Sequence, residues 1–191
     1  MAKLYFHYAS MAAGKSAYLL QANHNYVSGG QETLLYAPCI DTRSGPGVIR
    51  SRIGLEAPCR TFDEATRFDK EIAHEAVRKR LACVFVDEAQ FLTPGQVRDL
   101  ARVVDHLGVP VMAFGLRTDF RGELFAGSEA LFRFANEIRE IVSVCHCGTK
   151  AIMTARLVDG RVVTEGQQVA IEGEVAYRSL CRRHWEEATG L

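Results

Sequence analysis

The stretch FHYASMAAGKSAYLL, residues 6 to 20, carries the local pattern on which the fold assignment depends. Gly14, Lys15 and Ser16 lead into a helical pattern as in a phosphate-binding P-loop, but Ala9 stands where the motif G-x-x-x-x-G-K-[ST] opens with glycine. In such a loop, backbone N–H groups, the positive end of the helix and one lysine converge on phosphates. The stretch therefore predicts a nucleotide site, with a chance Gly-Lys-Ser at a helix start as the alternative.

Alanine at position 9 weakens this match without cancelling it. The position falls at the end of the predicted strand, where alanine is acceptable if its φ is negative. Only a left-handed backbone would require glycine there. The prediction of a P-loop therefore depends on an extended backbone at Ala9.

A second run, ACVFVDEAQF at residues 82 to 91, has the form of a buried strand that ends in acids. Asp87 occupies the position of a Walker B aspartate, which holds Mg²⁺ directly or through water, and Glu88 follows it. Acids at the carboxyl end of a parallel strand lie where α/β folds bind ligands. A solvated acidic turn is the alternative for this pair alone, but a P-loop on another strand favours the functional interpretation.

Short apolar runs alternate with longer amphipathic segments along the first three quarters of the chain. Continuous apolar runs predict strands buried on both faces, at residues 4 to 9, 33 to 38, 82 to 87, 109 to 115 and 140 to 145. The segments between them predict helices at 15 to 27, 70 to 80, 95 to 107 and 128 to 138. The repeated β-α-β order predicts an α/β fold in which helices cover a parallel sheet.

Two segments depart from this alternation. Residues 40 to 68 contain several glycines and prolines and no clear period, which predicts a long, mobile excursion with a strand near 58 to 62. After Cys147 the chain becomes polar and rich in glycine, which is typical of a small β-ribbon. We therefore predict a nucleotide-binding domain at residues 1 to 142 and a C-terminal subdomain at 143 to 191.

The charge balance narrows the class of partner. Lys plus Arg and Asp plus Glu both total 23 in 191 residues, so no field of one sign is available to attract nucleic acid or an anionic membrane. No apolar run approaches the roughly 20 residues of a membrane helix, and the N-terminus lacks the layout of a signal peptide. The sequence therefore predicts a small-molecule partner and a cytoplasmic location.

The C-terminal segment contains a set of possible zinc ligands. VCHCGTK supplies Cys145 and Cys147, and LCRRHW supplies Cys181 and His184. Four such ligands in two close pairs suit tetrahedral Zn²⁺, and a small glycine-rich subdomain needs such a cross-link. The C-x-C pair is tighter than the usual C-x2-C, and His146 could compete as a ligand. Buried free thiols without a metal are the alternative.

In combination, these motifs closely resemble the type II thymidine kinases, a zinc-containing P-loop family, and especially their proteobacterial branch. The resemblance spans essentially the whole chain. It rests on AGKS after the first strand, DEAQF at 87 to 91, GLRTDFRGELF at 115 to 125, and a C-terminal cysteine ribbon with Tyr177 before Cys181. It implies a RecA-like P-loop sheet with helices on both faces, followed by a small zinc ribbon with a lasso over the nucleoside.

The resemblance also implies roles for residues of the nucleotide site. Lys15 would contact the ATP phosphates, and Ser16 and Asp87 would hold Mg²⁺. Glu88 corresponds to the general base for the nucleoside 5′-hydroxyl, and Arg43 to an arginine that neutralises the transferring phosphoryl charge. The implied nucleotide-binding set is Ala9, Ser10, Met11, Ala12, Ala13, Gly14, Lys15, Ser16, Asp87, Glu88, Ala89 and Gln90.

The implied thymidine pocket is mostly apolar. The positions that match its lining are Met11, Phe91, Leu116, Phe120, Phe125 and Tyr177, for which core packing is the alternative. The lasso, whose backbone would bond the thymine edge, corresponds to Gln168, Val169, Ala170, Ile171 and Glu172. Glu172 stands where glycine is usual. Family members form tetramers, and we expect the end product dTTP to inhibit by occupying the nucleoside pocket with its phosphates toward the P-loop.

Two other classes of protein fit parts of the pattern. A GTPase would need N-K-x-D after a late strand, and the nearest match, residues 116 to 119, lacks both asparagine and lysine. A RecA-like nucleic-acid-dependent ATPase with a zinc ribbon fits the motifs better, but the neutral charge balance disfavours it. A kinase consumes ATP only with a nucleoside acceptor, so product analysis separates the two.

Overall fold

The computed structural model describes residues 1–43, 45–168 and 175–190 of the chain. The helices are α1 (Lys15–Ser28), α2 (Phe68–Arg78), α3 (Pro94–Arg102), α4 (Ala126–Phe134) and α5 (Arg182–Thr189). The strands are β1 (Leu4–Ala9), β2 (Glu32–Pro38), β3 (Val48–Arg50), β4 (Glu56–Pro58), β5 (Arg60–Phe62), β6 (Leu81–Val86), β7 (Val111–Leu116), β8 (Glu137–Glu140), β9 (Ser143–Val144), β10 (Lys150–Ala151), β11 (Met153–Val158), β12 (Arg161–Val163) and β13 (Val175–Leu180).

The central sheet is parallel. Its strand order is β5-β2-β6-β7-β1-β8, and every pair of neighbouring strands runs in the same direction. The carboxyl ends of β1 and β6 lie at the same edge, with β7 between them. The predicted α/β fold with a parallel sheet is therefore confirmed, and its ligand-binding edge follows the P-loop strand and the acidic strand.

Helices cover both faces of the sheet because the side chains of each strand alternate between them. Cys83 and Phe85 of β6 pack toward α1 with Leu19. Val84 and Val86 of the same strand pack on the opposite side, in the larger cluster that contains residues of α2, α3 and α4. This alternation explains the continuous apolar runs, since both faces of each strand are buried.

The edge strand next to β1 is not the run predicted at residues 140 to 145. It is β8, Glu137–Glu140, and helix α4 ends at Phe134 rather than near 138. Asn136 sets this register, because its side chain accepts a hydrogen bond of 2.7 Å from the backbone N–H of Leu4 and its own N–H donates to the Leu4 carbonyl. Backbone pairing with β1 therefore selected this edge strand, and the apolar run lies beyond it.

The excursion after β2 contains more structure than the sequence indicated. Strands β3 and β4 form an antiparallel hairpin, and β5, close to the predicted strand at 58 to 62, extends the central sheet beside β2. Ile49 of the hairpin is buried in the cluster under α1. The hairpin is therefore attached to the sheet by its apolar side chain.

The C-terminal ribbon, residues 143–168 and 175–190, forms small sheets of its own. Strands β9 and β10 pair, β11 pairs with β12 and β13, and α5 follows them. Trp185 of α5 is buried and donates from its indole N–H to the carbonyls of Phe120 and Thr154, both at 3.2 Å. This helix is not among those that the sequence pattern predicts. No helix in the part of the chain described here has the length and apolarity needed to cross a membrane.

Candidate functional site

The P-loop follows β1 directly. Ala9 is the last residue of the strand and does not have a positive φ, as the P-loop interpretation required. The left-handed positions are instead Ala12, with a φ of 60°, and Gly14, with a φ of 87°. Glycine at position 14 is thus explained by its backbone, whereas Ala12 adopts a conformation that costs an L-residue roughly 1 kcal/mol.

Lys15 and Asp87 are both buried at the base of this loop, and their opposite charges interact. The Lys15 side chain is 6% exposed and its ammonium group lies 3.5 Å from the Ser10 carbonyl oxygen. Burial lowers the pKa of Lys15, and the carboxylates of Glu88 and Asp87 oppose that shift. Ser16 Oγ donates a 2.7 Å hydrogen bond to Asp87 Oδ2. Burial and then the charge of Glu88 raise the pKa of Asp87 to about 7, and the Ser16 hydroxyl and the Lys15 charge oppose that shift only in part.

Glu88 is held by hydrogen bonds on both carboxylate oxygens. Gln90 Nε2 donates to one oxygen at 2.6 Å, and Arg43 Nη2 donates to the other at 2.7 Å. The Gln90 Oε1 in turn accepts a 3.0 Å hydrogen bond from the backbone N–H of Leu116. The backbone of Glu88 is left-handed, with a φ of 48°. Gln90 therefore fixes the Glu88 carboxylate relative to the end of β7.

Arg43 also binds Asp41. Its Nε and Nη2 donate to the two carboxylate oxygens of Asp41 at 2.7 and 2.6 Å. These hydrogen bonds raise the pKa of Arg43 further above its usual range, and the Arg43 guanidinium lowers the pKa of Asp41 against the effect of burial. One guanidinium therefore compensates two carboxylates, those of Asp41 and Glu88.

Two cavities meet at this group of charges. The first has a volume of about 430 Å³ and runs along the P-loop, and the second has a volume of about 340 Å³ and lies between the central sheet and the C-terminal ribbon. The side chains or backbone of the same five residues line both cavities: Met11, Asp41, Arg43, Arg52 and Glu88. A group bound in one cavity therefore faces a group bound in the other across Glu88 and the two arginines.

Most of the predicted nucleotide-binding residues surround the first cavity. Its lining includes Met11, Ala12, Ala13, Gly14, Lys15, Ser16, Asp87 and Glu88. Ala9, Ser10 and Ala89 do not line it and are buried, and Gln90 lines the second cavity instead. The sequence thus located the loop, but it did not separate residues that face the cavity from those that support it.

All of the described residues predicted for thymidine line the second cavity. They are Met11, Phe91, Leu116, Phe120, Phe125, Gln168 and Tyr177. Val169, Ala170, Ile171 and Glu172 lie outside the described residues. The same lining contains polar residues that were not predicted from the sequence, namely Asp41, Arg52, Thr118, Asp119 and Thr154. Asp41 lies two residues before Arg43, and Asp119 directly precedes Phe120. Their proximity in sequence to predicted site residues could therefore have identified them.

Arg156 was also missed, although it is a single charge in the apolar strand β11. Its side chain is 3% exposed, and its guanidinium lies 3.8 Å from the centroid of the Phe120 ring. Arg156 donates to the carbonyls of Gln167 and Gln168 at 2.7 and 2.8 Å. A buried charge needs such partners, so an arginine in an apolar strand was a signal of a specific contact. Arg156 connects the cavity wall to the start of the predicted lasso.

The C-terminal ribbon also contacts the P-loop. The backbone N–H of Met11 donates to Thr154 Oγ1 at 3.2 Å, and the hydroxyl group of Ser179 donates to the Met11 carbonyl. Thr154 belongs to β11 and Ser179 to β13, which are paired in one sheet. The backbone of the loop is therefore held by side chains of the ribbon.

The four predicted zinc ligands converge in the ribbon. The ligand atoms of Cys145, Cys147, Cys181 and His184 all lie within 4.8 Å of one another. His184 Nδ1 is 3.4 Å from Cys145 Sγ and 3.3 Å from Cys181 Sγ, and the sulfurs of Cys147 and Cys181 are 4.0 Å apart. Tetrahedral Zn²⁺ with ordinary bond lengths gives about 3.6 Å for N···S and about 3.8 Å for S···S. The donor set therefore fits zinc.

Two neighbours refine this assignment. Hydrogen bonds from Thr149 lower the pKa of the Cys147 thiol to about 6, which favours the thiolate that binds metal. His146 does not belong to the group of converging ligand atoms in the described part of the chain, although its ring centroid is 4.3 Å from that of His184. The geometry therefore favours His184 over His146 as the fourth ligand.

A P-loop cavity and a second cavity that meet at a carboxylate and an arginine define a P-loop phosphotransferase, here with a Cys₃His ribbon. The thymidine kinase family model matches residues 2–185. A thymidine kinase of Agrobacterium fabrum is 52% identical over 98% of this chain and 97% of its own, and one of Ruegeria pomeroyi is 53% identical over 100% and 96%. A thymidine kinase of Salmonella choleraesuis is 49% identical over 98% and 92%. The chain belongs to the thymidine kinase family.

Proposed function

We propose that this protein transfers the γ-phosphoryl group of ATP to the 5′-hydroxyl of thymidine, giving dTMP and ADP. The observation that carries the proposal is the junction of the two cavities at Glu88 and Arg43. In-line transfer requires the attacking and leaving oxygens on opposite sides of one phosphorus, so acceptor and donor must meet across a short gap. Family membership and relatives named thymidine kinase support the choice of acceptor.

In this mechanism Glu88 is the general base. Its carboxylate takes the proton of the 5′-hydroxyl while that oxygen forms a bond to the γ-phosphorus and the bond from phosphorus to the bridging oxygen of ADP breaks. The Gln90 amide positions the carboxylate, since it bonds one oxygen of Glu88 and is itself held by Leu116 N–H. Arg43 bonds the other oxygen, so proton transfer requires this bond to lengthen or to shift toward the substrate.

The P-loop residues bind the donor. The Lys15 ammonium group and the backbone N–H groups at the start of α1 compensate the phosphate charge. Ser16 and Asp87 would hold Mg²⁺, because a hydroxyl group and a buried carboxylate within hydrogen-bond distance of each other offer the oxygen ligands that this ion prefers. When bound, the ion would neutralise charge on the phosphate oxygens.

The C-terminal ribbon supplies the other wall of the acceptor site. We propose that residues 143–191 form a zinc-stabilised subdomain and residues 1–142 the nucleotide-binding domain. Phe120, Phe125 and Tyr177 would enclose the base, and the lasso, which includes Val169, Ala170, Ile171 and Glu172, would close over it. Cys145, Cys147, Cys181 and His184 would fill all four zinc positions, so the metal would take no part in the reaction.

A nucleoside panel with ATP and Mg²⁺ tests the proposal. We expect thymidine to give its 5′-monophosphate with equimolar ADP, and little ADP in the absence of a nucleoside. The RecA-like alternative predicts ATP hydrolysis that depends on a polynucleotide and yields no nucleoside monophosphate. ATP consumption stimulated by single-stranded DNA but not by thymidine would overturn the proposed function.

We further propose regulation by the end product. A nucleotide with its thymine in the second cavity must direct its phosphates toward Lys15 and Arg43, where they exclude productive ATP. The triphosphate should bind more tightly than the monophosphate because it accepts more charge-assisted hydrogen bonds. Inhibition by dTTP should therefore weaken as thymidine increases, and inhibition independent of thymidine would indicate a separate site.

Assembly and location are part of the same proposal. We propose a homotetramer, on the basis of the family resemblance, and a cytoplasmic location, where ATP is available to a salvage kinase. Light scattering coupled to size-exclusion chromatography measures the mass in solution, and a monomeric mass at assay concentration would contradict the tetramer.

A further inference from the structure

Arg52 is the second arginine at the junction of the two cavities. It lies at the tip of the β3–β4 hairpin and lines both cavities, as Arg43 does. Of the residues that line both cavities, only Asp41, Arg43, Arg52 and Glu88 carry charge. Arg52 can therefore bind a ligand at this junction if its own charge is not already paired with a protein carboxylate.

The two arginines differ in what they already bind. Arg43 donates to Asp41 and Glu88, so its charge is compensated before any ligand arrives. Arg52 is exposed and has no hydrogen bond or ion pair to any residue that the structure describes. A guanidinium with unused donors beside a phosphate-binding loop suits bidentate binding of phosphate oxygens.

The hairpin holds Arg52 at this place. Ser51 is 6% exposed, its backbone N–H donates to the Leu55 carbonyl at 2.8 Å, and its hydroxyl group accepts from the Leu55 N–H at 3.0 Å. Gly54, with a φ of 86°, closes the turn with a hydrogen bond to the Ser51 carbonyl. Because Ile49 anchors the hairpin under α1, the tip is attached to the sheet that carries the P-loop.

We propose that Arg52 binds the γ-phosphoryl group of ATP and stabilises its negative charge during transfer. The inference rests on the proposed function for the identity of the donor, and it assigns to Arg52 the free positive charge at the transfer point. Arg43 then orients Glu88 and Asp41, and Arg52 provides the guanidinium donors for the phosphoryl oxygens. Lys15 lines the same cavity, so both cations are available to the phosphate groups of one nucleotide.

Arg52→Gln tests this role, with Arg161→Gln as the matched control. Arg161 is also an exposed arginine beside a hairpin turn, without a partner in the described ranges, and it lines neither cavity. We expect Arg52→Gln to lower kcat/KM for ATP by about 10²-fold, the loss typical of one preorganised donor. Thymidine affinity measured by calorimetry should not change. Arg52→Lys should recover part of the activity, since it keeps the charge but not the planar fork.

Nucleotide binding separates a γ-phosphate contact from a general effect. Arg52→Gln should weaken binding of the β,γ-imido analogue of ATP and leave ADP binding unchanged, because ADP lacks the γ-phosphoryl group. Equal losses for both nucleotides, or unaltered kcat/KM, would overturn the assignment. The binding comparison needs no acceptor, so it tests the role of Arg52 separately from the proposed function. The proposed function fails only if the unmodified protein forms no thymidine monophosphate.

Discussion

The central sheet and the C-terminal ribbon bury apolar surface to very different extents. The sheet unit, residues 1–43 and 45–142, packs both faces of its strands into two clusters that include large side chains such as Phe6, Phe85 and Phe114. The described part of the ribbon has one small cluster, in which two of the buried residues are Ala151 and Ala155 and a third is Cys145, a proposed zinc ligand. A unit this small usually needs a metal or another cross-link to remain folded.

This difference bears on the proposed acceptor site, because both units line the second cavity. One wall of the second cavity comes from the sheet unit, through Phe91, Leu116 and Phe125, and the other from the ribbon, through Gln168 and Tyr177. The nucleotide cavity, in contrast, is lined by the sheet unit alone among the residues that the structure describes. A change that disorders the ribbon should therefore weaken nucleoside binding more than ATP binding.

Loss of zinc should have the largest effect, because it should unfold the ribbon while the sheet unit stays folded. A structural zinc site contributes on the order of 10 kcal/mol to folding, so Cys181→Ser should unfold the ribbon and leave the sheet unit folded. We expect thymidine binding to be lost and ATP binding to fall much less, as measured by calorimetry alongside metal analysis. Cys39→Ser, which removes an exposed thiol outside the cluster, is the control. Protein that contains no zinc and binds thymidine normally would contradict this comparison.

Glu88→Gln should slow the reaction without unfolding the sheet unit or the ribbon. A positioned general base typically contributes about 10²- to 10⁴-fold to the rate, so kcat should fall by that factor while ATP and thymidine still bind. Single-turnover measurements of dTMP formation check this, with the exposed Glu129→Gln on α4 as the control for loss of a carboxylate. A variant with near-normal turnover would remove Glu88 from the role.

His7 should make the sheet unit sensitive to acid. Its ring is buried and stacks on Phe114 with 4.6 Å between centroids, and its Nε2 has no partner among the described residues. Burial and then the charge of Arg139 lower the pKa of His7 from 6.5 to about 4, while Glu137 opposes the shift. Protonation therefore favours the unfolded chain. The titration of His7 leaves the free energy of unfolding unchanged above pH 6.5 and lowers it as the pH falls toward 4. The loss is roughly 3 kcal/mol at most.

Thermal unfolding as a function of pH, with zinc in excess, measures this effect. The Tm of the unmodified protein should decrease as the pH falls below 6.5, and His7→Phe, which keeps an aromatic ring against Phe114, should show a smaller decrease. Identical pH profiles for the two proteins would assign the acid sensitivity to other groups, such as the metal ligands of the ribbon.

Ala12→Gly should give the smallest effect. The residue has a φ of 60°, which glycine adopts without strain, but glycine also increases the entropy of the unfolded chain. We expect a gain in the free energy of unfolding of under about 1 kcal/mol. Ala13→Gly, at a neighbouring position without a positive φ, should instead destabilise the protein. Chemical denaturation of both variants tests whether strain is stored at Ala12, and equal effects would show that it is not.

The sequence alone predicted a parallel α/β fold, a P-loop, an acidic pair and four candidate zinc ligands, and the structure confirms the fold and brings the four candidate ligands together. Each depends on a local pattern or on the chemistry of a residue type: an apolar run predicts a buried strand, and four thiol and imidazole groups suit one metal. Through the family resemblance it also predicted which apolar residues line the second cavity, because those residues stand at fixed places in the motifs.

How these parts are arranged relative to one another depends on contacts between separate elements of the fold. The edge strand β8 was selected by pairing with β1 through Asn136, because hydrogen bonding and not hydropathy chooses an edge. The hydrogen bond from Arg43 to Glu88 and the one from the Leu116 N–H to Gln90 join residues distant in sequence. Arg156 contacts Phe120, and Arg52 reaches both cavities from a hairpin tip. Such contacts have no local signature, since they exist only when several separate strands bring their ends to one edge of the sheet.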